Sequence, residues 1–121
     1  MAGTFNITIE QGATFRLPIT IADTVDGVTT NRDLTGYTAR MKIKESVEDT
    51  AALVTLTTSN GGITIDPDQV TNKGKLSLLI SATDTAALDF DQGVYDLELV
   101  TGSEVERDLK GRVRLSREVT D

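Results

Sequence analysis

The 121-residue chain contains no cysteine, no histidine and no tryptophan. Without cysteine there is no disulfide framework and no thiolate metal site, and redox compartment cannot be read from cysteine usage. Without histidine as well, Cys/His nucleophile pairs, Ser-His-Asp triads and the common zinc and copper sites are excluded together. Two Tyr and three Phe are too few for the interleaved aromatic platform on which single-stranded nucleic acid stacks, and carbohydrate-binding sandwiches also depend on exposed aromatics. No apolar run approaches the length of a membrane span, and "MAGTFNITIEQG" has neither the basic nor the apolar region of a signal peptide. The chain therefore reads as soluble and not exported by a cleaved signal. Nineteen acidic residues against twelve basic ones give a formal net charge of -7, which opposes nonspecific attraction to nucleic acid and to anionic membranes.

What is present is alternation with period two, the signature of strands whose side chains point to opposite faces in turn. Phe5, Ile7 and Ile9 alternate with Asn6, Thr8 and Glu10. After a Gln11-Gly12 break, Phe15, Leu17, Ile19 and Ile21 form a second apolar face, with Pro18 on the other side, which places that strand at a sheet edge or a bulge. "DTVDGVTTNRD" supplies turn chemistry centred on Asp26-Gly27. In "YTARMKIKE", Tyr37, Ala39, Met41 and Ile43 face the core and Arg40, Lys42 and Lys44 face solvent. "SVEDTAAL" is read as a helical turn or a loop, and "LVTLTT" as a strand joined through Ser59-Asn60-Gly61-Gly62 to "ITID" in a hairpin.

Leu76, Leu78 and Ile80 resume the alternation. Ser81 followed by Asp84 resembles a capping box, so "TAAL" is expected to form one helical turn that bridges two strands, with Leu88 and Phe90 plugging the end of the core. Tyr95, Leu97 and Leu99 face inward opposite Asp96 and Glu98. The chain reverses at Thr101-Gly102-Ser103, and Val105, Arg107 and Leu109 start the return. Val113 and Leu115 then lie opposite Arg112 and Arg114, and Gly111 marks a bulge or bend. Seven or eight short strands with one short connecting helix predict an all-β, immunoglobulin-like antiparallel β-sandwich over residues 1–121, a single domain, with a small barrel as the alternative.

Chemistry is sparse. The carboxylate pairs Asp66/Asp68, Asp89/Asp91 and Asp96/Glu98 have the residue types that hydrolyse glycosides, and "DPDQ" and "DFDQG" have oxygen ligands suited to calcium. Solvated strand faces and turn formation account for them more simply, and the EF-hand's further ligands are missing. Gly61-Gly62 stands between strands, whereas a phosphate-cradling glycine motif opens a helix. The basic stripes Arg40/Lys42/Lys44 and Arg107/Lys110/Arg112/Arg114 are expected to pair across the ladder with Asp96 and Glu98 rather than to bind nucleic acid. No catalytic, cofactor-binding or metal site is assigned, and the chain is not expected to be an enzyme or to bind a membrane or a small-molecule substrate.

Three stretches, "DLTGYTARMKIKE", "TLTTSNGGITID" and "GVYDLELVTGSEVERDLKGRVRLSREVT", together resemble a group of small tailed-bacteriophage virion proteins. In that group a "DLTGYT"-type entry precedes a strand of alternating basic residues, and a "YDLEL" strand forms a hairpin with a "G-R-V" strand. The likeness spans roughly residues 33 to 120 and extends to the N-terminal domain of some upper baseplate proteins. It implies a structural immunoglobulin-like module of the phage particle, made in the bacterial cytoplasm. Such a module sits in the tail, baseplate or fibre attachment, with a capsid decoration protein or a host-surface carbohydrate-binding domain as alternatives. Its implied partners are other virion structural proteins, in a homo-oligomer or symmetric multi-copy assembly. The acidic total charge beside local basic stripes suits a ring or lattice in which unlike faces of identical copies meet. The first thirty residues match less well, so residues 1–12 are read as a particle-specific attachment strand.

Overall fold

A computed structural model describes residues 3–119. The expected alternation builds most of its strands. Ile7–Glu10 (β2) buries Ile7 and Ile9, Thr38–Lys44 (β6) buries Ala39, Met41 and Ile43, and Lys75–Ile80 (β9) buries Leu76, Leu78 and Ile80. Gln92–Thr101 (β10) buries Tyr95, Leu97 and Leu99. Each fully buried aliphatic side chain contributes about 1.5–3 kcal/mol relative to exposure, so these one-sided strands supply the core.

The larger sheet runs, edge to edge, Gly3–Thr4 (β1), Glu104–Ser116 (β11), β10, β6 and Val54–Thr57 (β7), with β2 also paired to β11. A second sheet orders Phe15–Thr20 (β3), β9 and Ile63–Ile65 (β8). Ile63, Leu76, Leu78 and Ile80 from the smaller sheet share one cluster with Ile9, Met41, Ile43, Leu97, Leu99 and Val113 from the larger. The result is an immunoglobulin-like β-sandwich. Pro18 sits on an exposed position of β3, which among the described residues pairs only with β9 and so forms a sheet edge. There its missing N–H breaks no inner ladder.

Four features depart from the expected plan. First, "DTVDGVTTNRD" is a two-stranded ribbon of its own, Ala22–Val25 (β4) and Val28–Asn31 (β5), which raises the strand count above seven or eight. Asp26 and Gly27 both have positive φ (51° and 78°), the conformation of a type I′ hairpin turn, which Asp-Gly adopts readily. Second, β7 and β8 are not a hairpin: β7 pairs with β6 and β8 with β9, so the glycine-containing tetrapeptide carries the chain from one sheet to the other. Asn60 shapes that corner, its Oδ1 accepting from Thr57 N and Gly62 N and its Nδ2 donating to the Thr55 carbonyl.

Third, the register of β10 against β11 shifts between Leu97 and Glu98, so the bulge in β11 is at Asp108 and not at Gly111. Gly111 is required for another reason. A Cβ there would overlap the Phe5 carbonyl, because the N-terminal chain runs alongside β11 and presses that carbonyl against the glycine. Fourth, that N-terminal chain lies parallel to β11, Gly3 and Thr4 opposite Leu109 and Lys110, and Ile7 to Glu10 opposite Val113 to Ser116. Phe5 N donates to Lys110 O, Arg112 N donates to Asn6 Oδ1, and Tyr95 Oη donates to the Phe5 carbonyl at 2.6 Å. Residues 3–10 of the anticipated attachment strand are thus zipped into the sheet, and residues 1 and 2 lie outside the described residues.

The bridging helix is Ala82–Ala86 (α1), with Ser81 as N-cap accepting from Asp84 N. "SVEDTAAL" is loop. Phe90 is buried and Leu88 packs against the core, as a plug would. The fully buried Thr85 hydroxyl donates to Ala13 O and accepts from Gly12 N, tying the helix to the turn before β3.

Candidate interaction site

Two surfaces stand out, the outer face of the larger sheet and the β4–β5 ribbon. The first is a consequence of register. Outward positions of β6 carry Arg40, Lys42 and Lys44, those of β10 carry Asp96 and Glu98, and those of β11 carry Arg107, Lys110 and Arg112. Because β10 lies between β6 and β11, an acidic stripe is flanked by two basic ones. Arg40 bonds Glu98 at 2.7 Å, directly across the ladder, and Arg107 reaches Asp96 diagonally at 3.1 Å. The anticipated cross-strand pairing is therefore present.

The cations outnumber the anions, however. Six basic side chains and two carboxylates line one shallow depression of about 840 Å³, beside Val47 and Val94. Among the described residues, Arg40 and Arg107 are the members of this set held in ion pairs, which leaves Lys42, Lys44, Lys110 and Arg112 uncompensated. Two stripes that looked separate along the chain converge into a basic face on an acidic protein, and the signal for it was the even spacing of both stripes around the "YDLEL" strand.

The second surface has no buried residue at all. Every position of β4 and β5 is exposed, and Val25 and Val28, opposite each other next to the turn, are 68% and 64% exposed. The base of the ribbon is anchored by Arg32, which follows β5. Its guanidinium binds Asp23 through two bonds (2.6 and 3.0 Å), Asp108 through two (3.1 and 3.2 Å), and approaches Glu106 at 3.3 Å. The Asp108 side chain is only 6% exposed, so the bulge in β11 turns a carboxylate inward to meet this arginine. Hydrogen bonding to Arg32 holds the Asp23 carboxyl below its usual range. The hydrogen bonds to Asp23 and Asp108, with the charges of Asp108 and Glu106, in turn push the arginine further up against the cost of its own burial.

The remaining carboxylates hold the chain together locally. Asp66 Oδ1 accepts from Asp68 N and its Oδ2 from Asn72 Nδ2, while Asp68 Oδ1 accepts from Thr71 N. That last bond holds Asp68 below its usual range. The loop is centred on buried Gln69, whose Oε1 accepts from Leu34 N and Gly74 N and whose Nε2 donates to Asp66 O. Asp89 and Asp91 both bind Arg117. Asp96 and Glu98 are spent on Arg107 and Arg40. None of the three pairs is brought together with further ligands, and among the described residues no group of three or more His, Cys, Asp or Glu is placed to hold a metal ion. Gln69 was not singled out from the sequence, where nothing distinguishes it from a surface glutamine.

No protein-family model matches this chain. None of the curated proteins matches it significantly. Among solved structures it is similar to the periplasmic chaperone SfaE, at 16% identity and a TM-score of 0.38, over 98% of this chain. The chain spans 58% of the length of that chaperone.

Proposed function

We propose that the chain is a non-enzymatic structural component of a bacteriophage particle, a tail, baseplate or fibre-attachment module that acts through contacts with other virion proteins and is present in several symmetric copies. The family part of this reading rests on the likeness of residues 33 to 120 to small tailed-phage virion proteins. The observation that favours a protein-contact role is the β4–β5 ribbon, whose every residue is exposed and whose tip carries two valines. A ribbon with no buried residue adds nothing to a core, and apolar side chains paired at its exposed tip are placed to dock on another chain. The edges of β3 and β8 add strand edges, without a further strand partner among the described residues, to which another strand can be joined.

The test is cryo-electron microscopy of the whole phage particle, with mass spectrometry of the same purified preparation. Density for this sandwich at tail, baseplate or fibre junction is the expected result. Density on the capsid lattice would move it to the decoration proteins, and its absence from particles would overturn the reading.

A further inference from the structure

Deepening that reading and resting on it for the multi-copy assembly, we infer that identical chains join head to tail, the tip of the β4–β5 ribbon of one copy seating in the basic depression on the larger sheet of the next.

The argument is one of complementarity between two surfaces that the same chain carries. The ribbon end is acidic. Its tip carries Asp26 between Val25 and Val28 with no basic residue in the turn, while Asp23, Glu106 and Asp108 are held on Arg32 at the base. The depression is basic, with four cations lacking an ion-pair partner among the described residues. In a chain of net charge -7, a depression with that excess is the surface toward which the Asp26 tip of another copy is drawn.

Shape and polarity agree with the charge. Val25 and Val28 are direct partners in the ribbon ladder, so their side chains share one face, with Asp26 at the turn between them. The depression sets Val47, 80% exposed, and Val94 beside Lys42, Lys44, Lys110 and Arg112. Two valines against two valines with a carboxylate among cations makes an interface with an apolar centre and a charged rim. The ribbon does not lie on its own depression, since none of its residues lines it. Donor and acceptor are different surfaces, so the contact is heterologous and propagates into a ring or a stack according to its rotation.

Because the chain has no cysteine, single introduced cysteines report contacts without background. Val28→Cys chains are mixed with Val47→Cys chains under mild oxidation, and Val28→Cys chains with Val70→Cys chains as control; all three positions are well exposed. The mixed 28–47 disulfide is expected in about tenfold excess over either homodimer and over the 28–70 product, since only docked copies bring those Cβ atoms within bonding reach. Adding Lys110→Glu and Arg112→Glu to the Val47→Cys chain should cut the yield about tenfold, and Asp26→Lys on the ribbon partner should restore much of it. Products in statistical proportions, or a 28–47 yield indifferent to the charge reversals, overturn the inference. That failure is distinguishable from failure of the phage reading. A chain found in virions without this cross-link keeps the reading and loses the inference, and a cross-linking chain absent from particles does the reverse.

Discussion

Two hairpins of this molecule are built alike and used differently. β10–β11 closes through Gly102-Ser103, pairing Thr101 with Glu104, and β4–β5 closes through Asp26-Gly27, pairing Val25 with Val28. Both are two-residue connections between antiparallel strands. Yet β10 buries Tyr95, Leu97 and Leu99 on alternate positions, while nothing in β4 or β5 is buried. Turn chemistry decides that a hairpin forms; one-sided apolar patterning decides whether it becomes part of a sheet packed on a core. A ribbon of the second kind is held at its base by side chains, here Arg32, and along its length by Thr24–Thr29 and backbone pairs. Its sequence is free to be selected for contact with something else.

The sharpest way to break the comparison is to replace one apolar side chain in each hairpin. Leu97→Ala removes a fully buried side chain from the middle of β10 and should destabilise by about 2–5 kcal/mol. Val28→Thr in the ribbon should change stability by less than about 0.5 kcal/mol. Urea unfolding followed by far-ultraviolet circular dichroism measures both. Comparable losses at the two sites would mean that the ribbon is packed against the body after all.

Next in size is Arg32→Met. It leaves the Asp108 carboxylate, 6% exposed, without its partner, and should cost about 1–3 kcal/mol, mostly the penalty of an uncompensated part-buried group. Pairing it with Asp108→Asn should recover part of that loss, because the stranded charge is gone. Hydrogen exchange should also show faster amide exchange in residues 22–31 of the Arg32 variant than in β10. A uniform change across both hairpins would detach the arginine from any special hold on the ribbon.

The same contrast explains what could be read from the chain. "YTARMKIKE" and "YDLEL" announced themselves because burial on one face writes a strict period of two into the residues. The ribbon, rich in Thr, Asn and Asp, buries nothing and so left only its Asp-Gly turn to be seen. Ser59-Asn60-Gly61-Gly62 reads as a hairpin in the sequence since a tight reversal and a switch between sheets use the same local residues; the partners of β7 and β8, β6 and β9, distinguish them. From the sequence Gly111 reads as a bulge or bend, whereas the approach of the Phe5 carbonyl that requires it is a contact across more than a hundred residues. For the candidate site, both basic stripes and their pairing with Asp96 and Glu98 were legible. Their surplus over the acids became visible only once three strands were placed side by side.

Tyr95→Phe sharpens the account of the larger sheet at a smaller scale. The lost hydroxyl leaves the Phe5 carbonyl without the bond it accepts at 2.6 Å, an effect of about 1 kcal/mol, with the amides of residues 3–6 losing protection first. Burial pushes the Tyr95 phenol up to about 12 from its ordinary value of 10.0. A raised folded value means stability fully present below about pH 10 and lost as the pH rises through about 12. In a Tyr37→Phe background, absorbance at the phenolate band should therefore rise late and together with unfolding. An early rise on the folded protein would show that the ring is open to solvent.

The smallest effect belongs to the ribbon's own anchor. Asp23 is held below its usual range by its hydrogen bonds with Arg32. A depressed folded value means that the contribution is complete above the unfolded carboxylate range and is lost as the pH falls through the folded value, so the window lies on the acid side of about pH 4. The side chain is 48% exposed, and solvent screening keeps the contribution well under about 1 kcal/mol. Global unfolding should thus barely distinguish Asp23→Asn from the parent at neutral pH. Nuclear magnetic resonance of the Thr24 and Thr29 amides should distinguish them, with the parent losing ribbon shifts only in acid and the variant showing no step there. If the acid step persisted in Asp23→Asn, the ribbon would be held by Asp108 and Glu106 acting on Arg32 alone, and its base would belong energetically to β11 instead of to the hairpin it carries.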